Sequence, residues 1–144
     1  MPISACPPQT LQQTELDELA IPSPFRDMLG VHVAEWEQGR CAVELDVRPD
    51  LVNFSGAIAG PVVAAMVDIA GGLAGCYSPD RDNRITAVTL SVTIAFMGTV
   101  KSGRVRAVAV KQGGGRRVYT ATVHVYGEDG HMISTGQGTY RYVS

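Results

Sequence analysis

The chain has 144 residues, 45% of them hydrophobic and 18% charged, which is the size and composition of one globular domain with its own core. Its formal net charge of −2 and pI of about 5.9 argue against a general nucleic-acid binder, which would need a basic face. No apolar run approaches the roughly 20 residues that cross a bilayer, and the first ten residues lack the basic and apolar regions of a secretory signal.

The N-terminal residues predict an arm followed by a short helix. Residues 1–10 contain three prolines, so we expect a loose arm there. Thr10 is suited to cap a helix over "TLQQTELDEL", whose leucines recur on one face, and "IPSPF" ends that helix. We therefore assign residues 1–24 to the arm and short helix, and residues 25–144 to a single domain.

Hydrophobic alternation predicts strands on both sides of one long helix. "VHVAEWE" and "CAVELDV" alternate on either side of Gly39, which indicates a hairpin. The next apolar segment predicts a helix over 61–75, with Pro61 at the first position, where its missing N–H costs nothing. Four alternating runs separated by turns follow: "RITAVTLSVTIAFM", "GRVRAVAVKQ", "RRVYTATVHVYG" and "HMISTGQGTYRYV". This order predicts an α+β domain in which an antiparallel sheet curves around and covers the helix.

A single carboxylate, Asp68, lies in the middle of this apolar helix. Its neighbours three and four residues away are small, and two of them are the glycines Gly71 and Gly72. A glycine inside a helix costs about 1 kcal/mol relative to alanine, so the pair indicates close approach by another backbone or by a ligand. No Lys, Arg or His lies within a helical turn, and burial of an unpaired carboxylate is costly. Two interpretations stay open: an Asp bonded to an amide or a serine of the sheet, or a general base or nucleophile in a pocket.

The start of the same helix offers a second group of catalytic type. Gly60 lies where backbone N–H groups are unpaired and the helix dipole is positive, so its amide can bind negative charge developing on a carbonyl oxygen; a plain N-cap glycine explains it equally well. Gly60 and Asp68 are eight residues apart, about 12 Å along the helix axis. Both can act on one carbonyl only if two such helices run antiparallel across the two-fold axis of a homodimer.

These residues resemble a motif of the hotdog-fold acyl-CoA thioesterases of the phenylacetate-pathway (PaaI-like) type. The family pattern is Asn, two residues, Gly, two residues, His-Gly-Gly, and an Asp nine positions after the His. This chain has Asn53, Gly56, "AGP" at 59–61 and Asp68 at the same spacing. The resemblance covers roughly residues 25–142, including the four-strand tail with its "GRR" strand start and Gly-rich last strand. It implies a hotdog fold and a homodimer or homotetramer.

The resemblance also implies a role for each matching position. Asp68 would be the general base or nucleophile acting on the thioester carbonyl, and the Gly60 N–H would polarise that carbonyl. Asn53 would hold the carbonyl or the attacking water, and Gly56, in the same motif, would contribute to substrate binding. Thr89, in the first strand after the helix, would hydrogen-bond the water or the acid.

The expected substrate is an acyl-CoA, which is hydrolysed to the free acid and CoA. Arg116 and Arg117, at the start of a strand, suit the phosphates of CoA, although an ordinary solvated strand end explains each of them as well. No metal or redox cofactor is expected, because CoA belongs to the substrate and neither the cysteines nor the histidines have metal-ligand spacing. The cysteines favour reduced thiols in a cytoplasmic protein.

Two positions depart from the family pattern. Ala59 replaces the His, and Pro61 replaces the second Gly. The missing His keeps open a non-catalytic acyl-CoA-binding protein of the same fold. A hotdog hydratase or dehydratase ranks last, because that chemistry usually relies on a helix-borne His, and this loop and helix contain none.

Overall fold

The computed structural model describes residues 15–143. The predicted arm over residues 1–10 and the Thr10 cap lie outside this range, and the predicted division at residue 24 stays a prediction. Helical structure is present at residues 15–19, within the segment for which a short helix was predicted.

The predicted elements after this segment are confirmed, with ends that differ by a few residues. The long helix begins one residue before its predicted start. In chain order the elements are α1 over residues 15–19, α2 (Pro24–Leu29), β1 (His32–Glu37), β2 (Arg40–Asp46), α3 (Gly60–Ala74), β3 (Thr86–Phe96), β4 (Arg104–Gly114), β5 (Val118–Tyr126) and β6 (Met132–Val143).

The six strands form one antiparallel sheet in the order β1-β2-β4-β5-β6-β3. Helix α3 contacts every one of them, so the sheet wraps around the helix as predicted. On the helix, Met66, Val67 and Ala70 are fully buried. Ala109 and Ala121, on β4 and β5, are also fully buried, and such small side chains let a helix lie close to a sheet. Burial of this face fixes the rotation of α3 and hence the direction in which its polar residues point.

Strand β3 lies at an edge of the sheet and is paired only with β6. It is 11 residues long, and no charged residue occurs between residues 85 and 100. Val88, Leu90 and Phe96 are 45%, 54% and 56% exposed. Exposed edges usually carry charges or proline, which prevent further pairing. A long, uncharged and apolar edge is therefore available for pairing with another strand.

A bulge in β3 decides which way Thr89 faces. Thr89 pairs with Tyr140 of β6 and Ser91 pairs with Thr139, so the register shifts at Leu90. Directly opposite residues share a face of the sheet, and Tyr140 is buried against α3. Thr89 therefore faces the helix. In a regular strand Leu90 would take that position, because side chains alternate with a period of two.

Candidate functional site

Asp68 lies on the side of α3 that faces the edge strand β3. Its Oδ1 accepts a hydrogen bond from Thr89 Oγ1 at 2.6 Å, and it forms no ion pair with any residue between 15 and 143. The carboxylate is half-buried rather than buried, because the strand beside it is the last of the sheet. Its side-chain partner is a threonine hydroxyl, and neither the backbone amide nor the serine considered from the sequence takes that place.

The glycines that follow Asp68 are approached by a tyrosine of the same chain. A Cβ atom on Gly71 would overlap the hydroxyl of Tyr140, and one on Gly72 would lie 3.6 Å from the Tyr140 ring. The hydroxyl donates to the backbone carbonyl of Asp68 at 3.3 Å. At Gly71 the prediction of close approach by a ligand or another backbone was therefore wrong, because a side chain from β6 fills the space, whereas for the half-exposed Gly72 it stays a prediction. The sequence offered one signal of this contact, the small residues of "TGQGTY" in β6.

The first turn of α3 leaves one backbone amide unpaired. The N–H groups of Val62 and Val63 both donate to the carbonyl of Ala59, at 3.0 and 3.3 Å, and Pro61 has no N–H. Ala59 provides no side-chain cap. Gly60 is the first helical residue, and its N–H has no hydrogen-bond partner within residues 15–143. This amide is half-exposed at the positive end of a helix dipole, which is the environment in which an amide binds an oxyanion.

Asn53 and Gly56 build the turn that leads into α3. Asn53 Oδ1 accepts hydrogen bonds from the N–H and the hydroxyl of Ser55, at 2.9 and 2.8 Å, and from the N–H of Ala57 at 3.2 Å. Gly56 has a φ of +80°, a left-handed conformation that favours glycine, and its N–H donates to the carbonyl of Asn53 at 3.0 Å. The side-chain oxygen of Asn53 thus holds the loop, so contact with a substrate would fall to its Nδ2 group.

The carboxylate and the free amide lie at different ends of β3. Asp68 contacts Thr89 near the start of the strand. A Cβ atom on Gly60 would lie 3.7 Å from the ring of Phe96, the last residue of the strand. The eight residues of helix between Gly60 and Asp68 span about 12 Å, whereas reacting atoms must lie about 3 to 3.5 Å apart. One chain therefore brings Asp68 and Thr89 together but leaves Gly60 apart from them.

Arg116 and Arg117 lie in the turn before β5 and not, as predicted, in the strand itself, because β5 begins at Val118. Both are exposed, and neither side chain forms an ion pair or hydrogen bond in the part of the chain that the structure describes. The Arg117 carbonyl accepts from the Tyr142 N–H at 2.8 Å, and the Tyr142 hydroxyl donates to the carbonyl of Gly75 at 2.8 Å. This turn is thereby held near the C-terminal end of α3.

Arg40, Arg104 and Arg106 are engaged in ion pairs across β1, β2 and β4. Glu35 accepts hydrogen bonds from Arg40 and Arg106, and Arg106 also binds Glu44 at 2.7 Å. Burial by itself would raise the pKa of Glu35, but the hydrogen bond from Arg40 and the positive charge of Arg106 outweigh it and hold the pKa below its usual value. Arg104 pairs with Asp46 at 3.0 Å. These charges stabilise the sheet and are not available to bind a phosphate.

Within residues 15–143, no three His, Cys, Asp or Glu side chains cluster closely enough to hold a metal ion. The expectation that no cofactor is needed stays a prediction. None of the described helices is long and apolar enough to cross a membrane.

Comparison with known proteins finds similarity over most of the chain, although no protein-family model matches it. Phenylacetic acid degradation protein PaaI from Thermus thermophilus, solved as a point mutant, is 30% identical over 83% of this chain and 98% of its own, with a TM-score of 0.71. "Putative esterase Rv1847" from Mycobacterium tuberculosis is 27% identical over 83% of this chain and 86% of its own. Thioesterase HI1161 from Haemophilus influenzae has a TM-score of 0.78 over 92% of this chain and 90% of its own, and its 20% identity shows the fold alone.

Proposed function

Because this chain belongs to the hotdog-fold thioesterase superfamily, we propose that it hydrolyses an acyl-CoA thioester in a site shared by two protomers. One observation carries the proposal: α3 bears a carboxylate paired with a hydroxyl at 2.6 Å and, about 12 Å away along the same helix, an amide with no partner among the described residues. These are the two kinds of group that acyl transfer needs, a base or nucleophile and an oxyanion donor.

Asp68 and Thr89 form the half of the site that delivers the nucleophile. Thr89 donates to Oδ1, which orients the carboxylate and leaves Oδ2 to accept a proton. In the base mechanism, water loses a proton to Oδ2 as its oxygen bonds to the thioester carbon. The tetrahedral intermediate then breaks its C–S bond, and the CoA thiolate leaves and is protonated. In the nucleophile mechanism, Oδ2 itself attacks that carbon, CoA thiolate leaves, and water hydrolyses the resulting anhydride.

Gly60 supplies the other half of the site, which binds the carbonyl oxygen. Its N–H donates to that oxygen and stabilises the negative charge that forms in the transition state; a donor of this kind contributes about 10²- to 10³-fold in rate. No other amide of the first turn competes for the role, because Pro61 has no N–H and the next two donate to Ala59. Asn53 lies in the loop that precedes this turn, where its Nδ2 group would contact the same carbonyl or the attacking water.

A homodimer formed through β3 would bring the two halves together. Thr89, beside Asp68, and Phe96, beside Gly60, lie on the same strand. If two copies of β3 pair antiparallel about a two-fold axis midway between these residues, Thr89 of one copy lies next to Phe96 of the other. Asp68 of one protomer then faces Gly60 of its partner, and two equivalent sites form. The uncharged, exposed edge of β3 favours this pairing, and a homotetramer would combine two such dimers.

The CoA part of the substrate would lie along the end of α3 that carries the β4–β5 turn. Arg116 and Arg117 are exposed there and have no ion-pair partner in the described chain. Arginine binds phosphate through several N–H groups in a fixed geometry, so this pair would hold CoA phosphates. Gly56 would contribute through the loop geometry that its positive φ permits.

The test is release of CoA from a panel of acyl-CoAs, followed with a thiol-detecting dye. We expect the wild type to release CoA and Asp68→Asn to lose at least about 10²-fold in kcat, as expected for loss of an acid–base group. Asp82→Asn, at an exposed turn, serves as the matched control and keeps full activity. Unchanged turnover in Asp68→Asn contradicts the assigned role. Acyl-CoA binding by the wild type without thiol release would instead favour the binding protein considered above. Single-turnover hydrolysis in ¹⁸O-labelled water separates the two mechanisms, because the base mechanism puts the label only in the product acid, whereas an anhydride hydrolysed at the Asp68 carboxyl carbon leaves the label in Asp68.

A further inference from the structure

Tyr140 lies where α3, β3 and β6 meet, directly beneath Asp68. Its side chain is 1% exposed, and its ring stacks on Tyr119 with centroids 5.2 Å apart. Its hydroxyl donates to the Asp68 carbonyl at 3.3 Å. Across the sheet, Tyr140 pairs with Thr89, whose hydroxyl donates to the Asp68 carboxylate at 2.6 Å. One cross-strand pair therefore holds Asp68 at both its backbone and its side chain.

Two glycines make room for the Tyr140 hydroxyl, one on each side. A Cβ atom on Gly71 of α3 would overlap this hydroxyl, and so would one on Gly138 of β6. Gly71 lies three residues after Asp68, on the same face of the helix. Glycine weakens both helices and strands, so its presence at these two positions indicates that the close approach itself is required. Gly72 differs, because a Cβ atom there would make only ordinary contact with the ring, at 3.6 Å.

We propose that Tyr140 is a positioning residue, which locks the Asp68 turn of α3 onto the sheet so that the carboxylate meets Thr89 in the geometry needed for thioester hydrolysis. Tyr140 holds this turn through its hydrogen bond to the Asp68 carbonyl and through the close fit of its hydroxyl against Gly71 and Gly138. Burial and the negative charge of Asp68 both raise the pKa of Tyr140, which keeps the hydroxyl protonated as a donor. The kinetic part of this inference rests on the proposed function, whereas the structural part does not.

The structural part is tested by the carboxylate carbon resonance of Asp68 in ¹³C-labelled protein, assigned by its loss in Asp68→Asn. Thr89→Val removes the hydroxyl that binds the carboxylate and defines the direction in which the resonance moves when that bond is broken. We expect Tyr140→Phe to move the resonance in the same direction, since the ring remains while the hydrogen bond is lost. Gly72→Ala leaves it in place. An unmoved resonance in folded Tyr140→Phe overturns the proposal, whatever the protein catalyses.

The kinetic part is tested with the same variants in the CoA-release assay. We expect Tyr140→Phe to lower kcat about tenfold with KM unchanged within about twofold, because loss of a hydrogen bond that only orients a group is expressed in the transition state. Gly72→Ala should leave both parameters unchanged. A kcat for Tyr140→Phe equal to that of the wild type overturns the positioning role, provided that Asp68→Asn is inactive. If the wild type hydrolyses no thioester while the Asp68 resonance still responds to Tyr140→Phe, the proposed function fails and the positioning of Asp68 stands.

A double variant provides a readout that general destabilisation does not reproduce. In Gly71→Ala the new methyl group overlaps the Tyr140 hydroxyl, so kcat should fall further than in Tyr140→Phe. In Tyr140→Phe the atom nearest to the new methyl group is the ring Cζ, at 2.9 Å. The aromatic ring therefore has to move less to admit the methyl group. The kcat penalty of Gly71→Ala should therefore shrink when Tyr140→Phe is already present. Equal kcat penalties of Gly71→Ala in the wild-type and Tyr140→Phe backgrounds contradict the positioning role of Tyr140. Should Gly71→Ala not fold, the resonance and kcat of Tyr140→Phe still decide the question.

Discussion

Mixing two inactive variants should restore activity if the active site is shared between protomers. Asp68→Asn removes the carboxylate that we propose as base or nucleophile, and Asn53→Ala removes the side chain that holds the loop before the Gly60 amide. Because Gly60 and Asp68 are about 12 Å apart along one helix, each site must take Asp68 from one chain and Asn53 with Gly60 from the other. A mixed dimer then contains one site with both defects and one site with neither.

The expected size of the recovery follows from this arrangement. When equal amounts of the two variants exchange subunits at random, about half of the dimers are mixed, and each retains one of its two sites. The mixture should reach about a quarter of the wild-type rate, a large gain over variants that lose about 10²-fold each. The assay is CoA release after the two variants are unfolded and refolded together, and the control is the same variants refolded apart and then combined. A mixture that forms mixed dimers but shows no recovery would refute the shared site.

Three further predictions concern the residues around this site and the stability of the sheet. Thr89→Val should lower kcat about tenfold. This is the lower end of the rate loss expected when a hydrogen bond to a charged group is removed, because Thr89 is exposed in the single chain. Thr89→Ser keeps the hydroxyl and should keep most of the rate. Combined Arg116→Ala and Arg117→Ala should raise KM for acyl-CoA several-fold at low salt and leave kcat unchanged. The control Arg81→Ala removes an arginine already paired with an acid and should alter neither parameter. An unchanged KM in the double variant would place the CoA phosphates elsewhere. The pKa of Glu35 is held below its usual 4.5, so its ion pairs stabilise the fold above that pH and lose their effect as the pH falls through the lowered pKa. Melting curves should accordingly show Glu35→Gln destabilised at pH 7, with the difference from wild type shrinking toward pH 3; a constant difference would contradict this assignment.

Local patterns were enough to predict the elements that carry the site. Alternation in the strands and the apolar run before Gly75 each reflect the period of a single element, so they identified the helix over 61–75 and the strands on either side of it. The lone carboxylate of Asp68 could be read directly from the sequence. The unpaired amide at Gly60 could be predicted too, because a helix leaves its first N–H groups unpaired wherever it lies in a fold.

Contacts between distant segments could not be predicted in the same way. The two glycines after Asp68 indicated close approach, but the approaching group, Tyr140, lies 72 residues away in sequence. The half-buried state of Asp68 was also missed, because the order of strands in the sheet, and not the helix, leaves β3 at the edge. Asn53 was expected to contact substrate, and the structure shows that its side-chain oxygen is engaged in the loop.

The sequence by itself determined that one apolar helix carries a lone acid, Asp68, and a free amide at Gly60 that are too far apart to cooperate within a chain, since the helical rise sets that distance whatever surrounds it. The family resemblance implied that Thr89 would hydrogen-bond the acid or its water, but only the tertiary structure decided how Thr89 reaches Asp68 and that Tyr140 meets it as well. The register shift at Leu90 turns Thr89 toward Asp68, and paired glycines admit the Tyr140 hydroxyl beneath it. Both depend on how β6 aligns with β3 and α3, and that alignment is set by the packing of all three elements together, which no single stretch of sequence encodes.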